Sequence, residues 1–228
     1  MNRYIEPDLY NVDCMVAMRE FPDKFFDLAI VDPPYGRGDA ERQDYTRSEC
    51  VKNSGITRTG GTWASKYTKK IDAWDMAPGQ EYFNELFRVS RDQIIWGGNY
   101  FRLPPTRCFI VWRKATISEN FSMAMAEYAW TSFSGNAKVY ECKPQGDKND
   151  KRFHPCQKPI QLYLWLLDNY AKKGNKILDT HCGSASSLIA CHRAGIEGWG
   201  FEIDKEYYKQ AKLRLDRERD QVSIFEII

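Results

Sequence analysis

Six short apolar runs set the frame of this 228-residue chain: "FFDLAIV" (Phe25–Val31), "QIIWGG" (Gln93–Gly98), "RCFIVW" (Arg107–Trp112), "AEYAWTSF" (Ala126–Phe133), "NKILD" (Asn175–Asp179) and "GWGFEI" (Gly198–Ile203). Each is bounded by Gly, Pro or charge and is rich in β-branched and aromatic residues, the pattern of strands. Helical spacings lie between them. "EYFNELFRVS" puts Tyr82, Phe83, Leu86 and Phe87 on one face, "PIQLYLWLLDNYA" is apolar nearly all round, and "DKEYYKQAKLRLDRE" carries a stripe of Tyr207, Tyr208, Ala211 and Leu215 among charges. Strands that alternate with helices predict an α/β domain with a mostly parallel sheet.

Length and composition narrow the class further. The chain suits one domain, residues 1–228, with a substantial core. Its net charge of +2 does not by itself indicate nucleic acid. The polar start "MNRYIEPDLY" does not read as a signal peptide, and no apolar run approaches the roughly 20 residues that span a bilayer. Seven scattered cysteines, never spaced C-x-x-C, read as reduced thiols of a cytoplasmic protein. His181, Cys182, Cys191 and His192 lack the spacing of a four-ligand metal site, so no metal is expected. The tryptophans at 74, 96, 112, 130, 165 and 199 are most simply core and strand residues.

Two motifs fall at strand ends, where open α/β sheets bind ligands. The first is "VDPPYGRG", Val31–Gly38. Proline has no N–H and a fixed φ, so the strand stops there. The stop leaves an Asp32 carboxylate, a Pro33 carbonyl stiffened by Pro34, and the Tyr35 ring. An exocyclic nucleobase amine is a poor nucleophile because its lone pair is delocalised. Two acceptors aimed at its N–H bonds favour the positively charged amine that forms on attack, and an aromatic face holds the base. The second motif is "ILDTHCGSASSLIACH", in which a strand runs into Asp179, then a turn of small residues (Gly183, Ser184, Ala185, Ser186), then a helix. Glu202 ends the next strand about 20 residues on, where an acid binds a cofactor ribose. Either motif alone is commonly just a strand stop or a turn.

Two stretches interrupt the alternation. Residues 36–72 have little apolar periodicity and carry Arg37, Arg42, Arg47, Lys52, Arg58, Lys66, Lys69 and Lys70, with Trp63 and Tyr67 between them. Such a loop suits nucleic-acid phosphates; the alternative is a solvated insertion. Residues 114–153 are loop-rich with one strand inside, and are the candidate target-recognition region. Asn99, just past a strand end, either lines a base pocket or caps a turn.

Taken together, "LYNVDCMVAMREFPDKFFDLAIVDPPYG", "HPCQKPIQLYLWLL", "ILDTHCGSASS" and "GFEIDKEYYKQAKLRL" make the chain resemble the DNA amino-methyltransferases that use S-adenosylmethionine, in the block order of their β group. The resemblance implies a doubly wound, seven-stranded sheet of the Rossmann-like class I methyltransferase type. It implies Asp32, Pro33, Pro34 and Tyr35 as the amino-group pocket, Asp13 and Cys14 beside the cofactor adenine, and Asp179 with the turn 183–186 at its methionine end. Glu202 would take the ribose. His154, Gln157 and Lys158 match the HP-x-QKP block, with Lys158 opposite the cofactor carboxylate. DNA with a flipped target base would be the partner, contacted by Arg37, Arg58, Lys66, Lys69 and Lys70, with a homodimer as the weakly favoured state. Adenine N6 is the expected target, with cytosine N4 as the alternative and an inactive DNA-binding module as a second. RNA or a glutamine amide are further substrates that related tetrads serve. The loop departs from the family at Thr180-His181, where Pro-Phe is usual, and at Ala185, where a second glycine is usual.

Overall fold

A computed structural model describes residues 4, 6–36, 76–119, 124–145 and 152–225. The basic residues Arg37, Arg58, Lys66, Lys69 and Lys70 lie outside them. All six predicted strands are present: β2 (Phe26–Val31), β3 (Ser90–Trp96), β4 (Phe109–Lys114), β5 (Ala126–Thr131), β7 (Lys176–Asp179) and β8 (Glu197–Glu202). Two more join them, β1 (Leu9–Asn11) and β6 (Lys138–Cys142), so among the described residues the sheet has eight strands in the order β1-β8-β7-β2-β3-β5-β4-β6, where seven were expected. Both additions are edge strands, three and five residues long, which leaves too little length for a periodic signal. Strands β5 and β6 also show that residues 114–153 hold two strands of the main sheet, where one was expected.

Every neighbouring pair from β1 through β3 runs parallel, and only β5 is reversed against both of its neighbours. Strand β2 reads as a nearly unbroken apolar run because both of its faces are covered. On one side α1 (Cys14–Met18) and α2 (Gln80–Val89) bury Met18, Tyr82, Phe83 and Leu86 against Phe26, Val31, Ile95 and Phe201. On the other, α3 (Ile160–Tyr170) and α4 (Ser186–Ala194) pack Leu162, Leu166 and Ala190 on Leu28, Ile30, Ile94 and Ile177. In helix α3, apolar nearly all round in sequence, Leu162, Tyr163, Leu166 and Leu167 form the buried face. A final helix, α5 (Lys205–Phe225), covers α4 and β1 with Ala211 and Leu215, and is tied to the chain's start by Lys212 and Arg219, each 2.9 Å from Asp8. Trp96, Trp112, Trp130 and Trp199 are all buried.

This topology decides where the two motifs meet. Strands β2 and β7 are neighbours, paired through Leu28↔Ile177 and Ala29↔Leu178. Their carboxyl ends therefore deliver Asp32 and Asp179 side by side. The flanking strands end in the same row, β3 into Gly97–Tyr100, β8 into Glu202 and β1 into Asp13.

Candidate active site

The ladder of β2 ends at Val31, where Pro33 and Pro34 offer no N–H to continue it. Asp32 is held at both oxygens. The Tyr35 hydroxyl donates to Oδ1 at 2.6 Å, and the Lys158 ammonium is hydrogen-bonded to Oδ2. A carboxylate has about four lone-pair sites, so each oxygen retains one for an incoming N–H. Burial and the neighbouring Asp32 raise the Tyr35 phenol well above its ordinary value, which keeps it a donor. Its ring lies between the Gly97 backbone and Tyr100, whose ring stacks on it with centroids 4.8 Å apart. Tyr100 is 46% exposed at the end of a short 3-10 turn, Gly98–Tyr100, so the outer face of Tyr35 is covered by a side chain that itself reaches the surface. Asn99 shares that turn and is exposed.

After β7 the chain makes a tight turn before α4. Asp179 accepts from the His181 N–H at 3.1 Å and from the Ser187 hydroxyl. Burial pushes its pKa up to about 6. Gly183 has φ +52, and its N–H donates to Glu202 Oε2 at 2.8 Å. A side chain there would meet the His154 ring at about 3.0 Å, so the glycine lets the HP-x-QKP segment lie directly on the turn. Ala185 takes φ +60 as the N-cap of α4, the left-handed conformation that the usual glycine would adopt. The alanine thus takes the left-handed conformation and strains it. Ser184 and Ser186 are hydroxyl partners at 3.1 Å, and Arg214 of α5 donates to the Ser184 carbonyl at 2.6 Å and to the Ser186 hydroxyl at 3.0 Å.

Glu202 sits between two backbone donors, Gly183 N–H and Asp204 N–H, each at 2.8 Å. Burial outweighs both and lifts its pKa to about 7. Asn11 of β1 pairs with Glu202, which brings the end of β1 alongside it. There Asp13 caps α1, accepting from Met15 N–H at 2.7 Å, and burial raises the Cys14 thiol to about 12.

His154 packs edge-on against Tyr207, and burial lowers its pKa to about 3, so it is a neutral ring. The Gln157 side-chain carbonyl accepts from Phe153 N–H at 3.3 Å and shapes the segment from within. Lys158 binds Asp32 and lies 3.2 Å from Glu127. Among the described residues no group of three or more His, Cys, Asp or Glu could hold a metal ion.

Residues 111–213, from β4 into α5, match the family model of the N6/N4 DNA methylases. Over that stretch the chain is similar to the N6/N4 DNA methylases. The candidate methylase YubD of Escherichia coli (strain K12) is 24% identical over 233 aligned positions, covering 94% of this chain and 90% of that protein. Two solved structures share the fold. The M1.HpyAVI complex with SAM aligns with a TM-score of 0.57 at 16% identity, covering 91% of this chain and 98% of that one. The cytosine-N4-specific PvuII DNA methyltransferase aligns with a TM-score of 0.57 at 12% identity, covering 93% and 90%.

The two unusual residues of the turn have partners. The Thr180 hydroxyl is 2.6 Å from the Tyr82 hydroxyl, and the His181 ring stands edge-on to Tyr82 at 5.3 Å, filling the place of a packed aromatic. Burial lowers His181 to about 4, which removes the charge that would otherwise oppose that packing. Four site residues were not anticipated: Lys114, Glu127, Tyr100 and Arg214. Lys114 and Glu127 read in sequence as a strand end and a strand start with ordinary surface charges. Arg214 reads as one cation among many on the polar face of α5.

Proposed function

We propose that the protein transfers a methyl group from S-adenosylmethionine to the N6 amine of adenine in DNA, acting as one domain. The adjacency of β2 and β7 carries this assignment, because it sets an amine-accepting corner beside a small-residue turn that ends in fixed carboxylates.

The turn fits the cofactor on its own chemistry. Glu202 has one lone pair free on each oxygen after its two backbone bonds, directed from the end of β8, which suits a pair of ribose hydroxyls. Asp179 supplies a carboxylate for an amino group, and the positive-φ backbone at Gly183 and Ala185 keeps side chains out of the turn. Asp13 and Cys14 border the adenine end. The bound cofactor would supply an electrophilic sulfonium methyl group.

The chain's own residues then do the rest. A flipped adenine enters against the ring of Tyr35, with Tyr100 displaced outward to admit it. Asp32 and the Pro33 carbonyl accept from the two N–H bonds of the amine. They orient its lone pair and stabilise the positive charge that grows on nitrogen as the new N–C bond forms. One amine proton leaves to solvent after transfer. Such acceptors contribute roughly 3–4 kcal/mol each in well-studied sites, and alignment of the two reactants adds to that. The basic segment 36–72 and the loops around β5 and β6 are assigned to DNA contact.

Asp rather than Ser ahead of Pro-Pro-Tyr favours adenine by the habit of the family, and the likeness to a cytosine-N4-specific enzyme keeps cytosine as the second assignment. DNA methylated by the pure protein, digested to nucleosides and resolved by mass, separates them. N6-methyl-2′-deoxyadenosine is expected, and N4-methyl-2′-deoxycytidine as the sole product would replace it. Calorimetry with the cofactor addresses an inactive module: no heat at high micromolar concentration with DNA binding retained would support that alternative.

A further inference from the structure

Four charged side chains alternate in sign from the end of β2 to the end of β4: Asp32, Lys158, Glu127, Lys114. Lys158 Nζ bridges Asp32 and Glu127, and Lys114 Nζ lies 2.7 Å from the other oxygen of Glu127. Both lysines are only 5% exposed, and each ammonium sits over an indole at 5.2 Å, Lys158 over Trp96 and Lys114 over Trp112. The set is neutral overall, two acids against two bases. Burial disfavours the charged forms of Glu127 and Lys158, yet the two lysines hold the Glu127 carboxyl down at about 2, and the two acids hold Lys158 above lysine's ordinary value. Buried ion pairs of this kind are weak sources of stability compared with apolar packing of the same volume.

We propose that Glu127 and Lys114 are positioning residues for methyl transfer, acting on Asp32 through Lys158. The proposal rests on Asp32 as the amine acceptor. Lysine is a flexible point charge, and on its own it would follow Asp32 wherever that side chain turned. Glu127 anchors the ammonium from the opposite side, and Lys114 anchors Glu127 from the end of β4. With Lys158 fixed and the Tyr35 hydroxyl on Oδ1, the Asp32 carboxylate is held in one plane. The opposing pull of Glu127 also stops Lys158 from engaging Asp32 alone, which leaves negative charge on Asp32 for the target amine.

The test is single-turnover methyl transfer by the full-length protein, in excess over sites, with methyl-tritiated S-adenosylmethionine and unmethylated genomic DNA. Glu127→Gln is expected to slow the chemical step at least tenfold while the dissociation constants of cofactor and DNA stay within twofold. Glu127→Asp, which keeps the charge, is expected to recover part of the loss. Lys114→Met, near in length and accommodated on Trp112, should slow the step about threefold to tenfold and remains informative if the Gln variant fails to fold. A rate within threefold of the parent in both Glu127→Gln and Lys114→Met overturns the proposal. So does a loss that tracks weaker binding or lower melting temperature. Asp32→Ala serves as the control: if it retains activity, the acceptor assignment fails and this proposal with it. If it is inactive while the Glu127 and Lys114 variants are normal, only the positioning role fails.

Discussion

The Cβ of an alanine at position 97 would fall 2.2 Å from Cε1 of Tyr35. Gly97 also has φ +66, so a side chain there is strained whatever space it finds. The glycine that follows β3 is thus the wall against which the ring of the Pro-Pro-Tyr turn rests. Gly97→Ala should push Tyr35 off that wall and destabilise the fold by about 1–3 kcal/mol, the usual cost of overpacking. Turnover should fall more than stability accounts for. Comparing melting temperature with activity, measured well below the melt, checks the excess.

Tyr35 combines a ring and a hydroxyl whose contributions can be separated. Tyr35→Phe keeps the ring between Gly97 and Tyr100 and deletes the bond to Asp32 Oδ1. It should lower the rate of methyl transfer and leave DNA affinity close to the parent. Tyr35→Ala removes both and should weaken capture of an extrahelical base by roughly 1–3 kcal/mol. Fluorescence of 2-aminopurine placed at the target position reports that capture.

Glu202 should make cofactor binding depend on pH. Burial raises its carboxyl to about 7 in the folded protein, and in the proposed role the ionised form would accept the ribose hydroxyls. Affinity should rise with pH up to about 8 and fall about tenfold per unit below 7. Glu202→Gln should flatten the profile, followed by calorimetry from pH 5.5 to 8.5. Stability of the free protein runs the other way. Folding raises the pKa from 4.5 to about 7 for Glu202, and from 3.8 to about 6 for Asp179. The folded state therefore holds protons the unfolded chain has lost, and both groups favour folding less as pH climbs from about 4 to 7. The melting temperature of Glu202→Gln should show a smaller decline across that range.

Ala185→Gly should stabilise the protein. The left-handed backbone at Ala185 costs roughly 1–2 kcal/mol, and the added freedom of an unfolded glycine offsets about 0.5–1 of it. A net gain of up to about 1.5 kcal/mol corresponds to roughly 3–6 °C in a chain of this size. Thermal melts of the two forms check the sign.

The parallel core was legible because its strands are buried on both faces and so appear as unbroken apolar runs, and because prolines and small residues mark the points where they end. The edge strands β1 and β6 were not, since three to five residues of mixed character carry no period. The site split along the same line. Asp32 follows directly on a strand, Asp179 and Glu202 each end one, and all three can be found by position alone. Lys114 and Glu127 meet only because β4 and β5 run antiparallel with Trp112 opposite Glu127. Lys158 reaches them from the segment ahead of α3. That meeting is a product of register, and single-sequence patterns carry no information on register between distant strands. Ala185 marks the opposite case: its steric preference argued against the left-handed turn, and the turn forms nonetheless because the surrounding loop and α4 fix it.

The pairing of Leu28 with Ile177 has a kinetic corollary. The stretch between these residues is most of the chain, so the two halves of the site come together only after a very large loop has closed. Contacts of such long range are made slowly, because the entropy of closure is lost before any contact repays it. During refolding from denaturant, helical signal should return well before methyl transfer does, with the recovery of activity marking the zipping of these two strands.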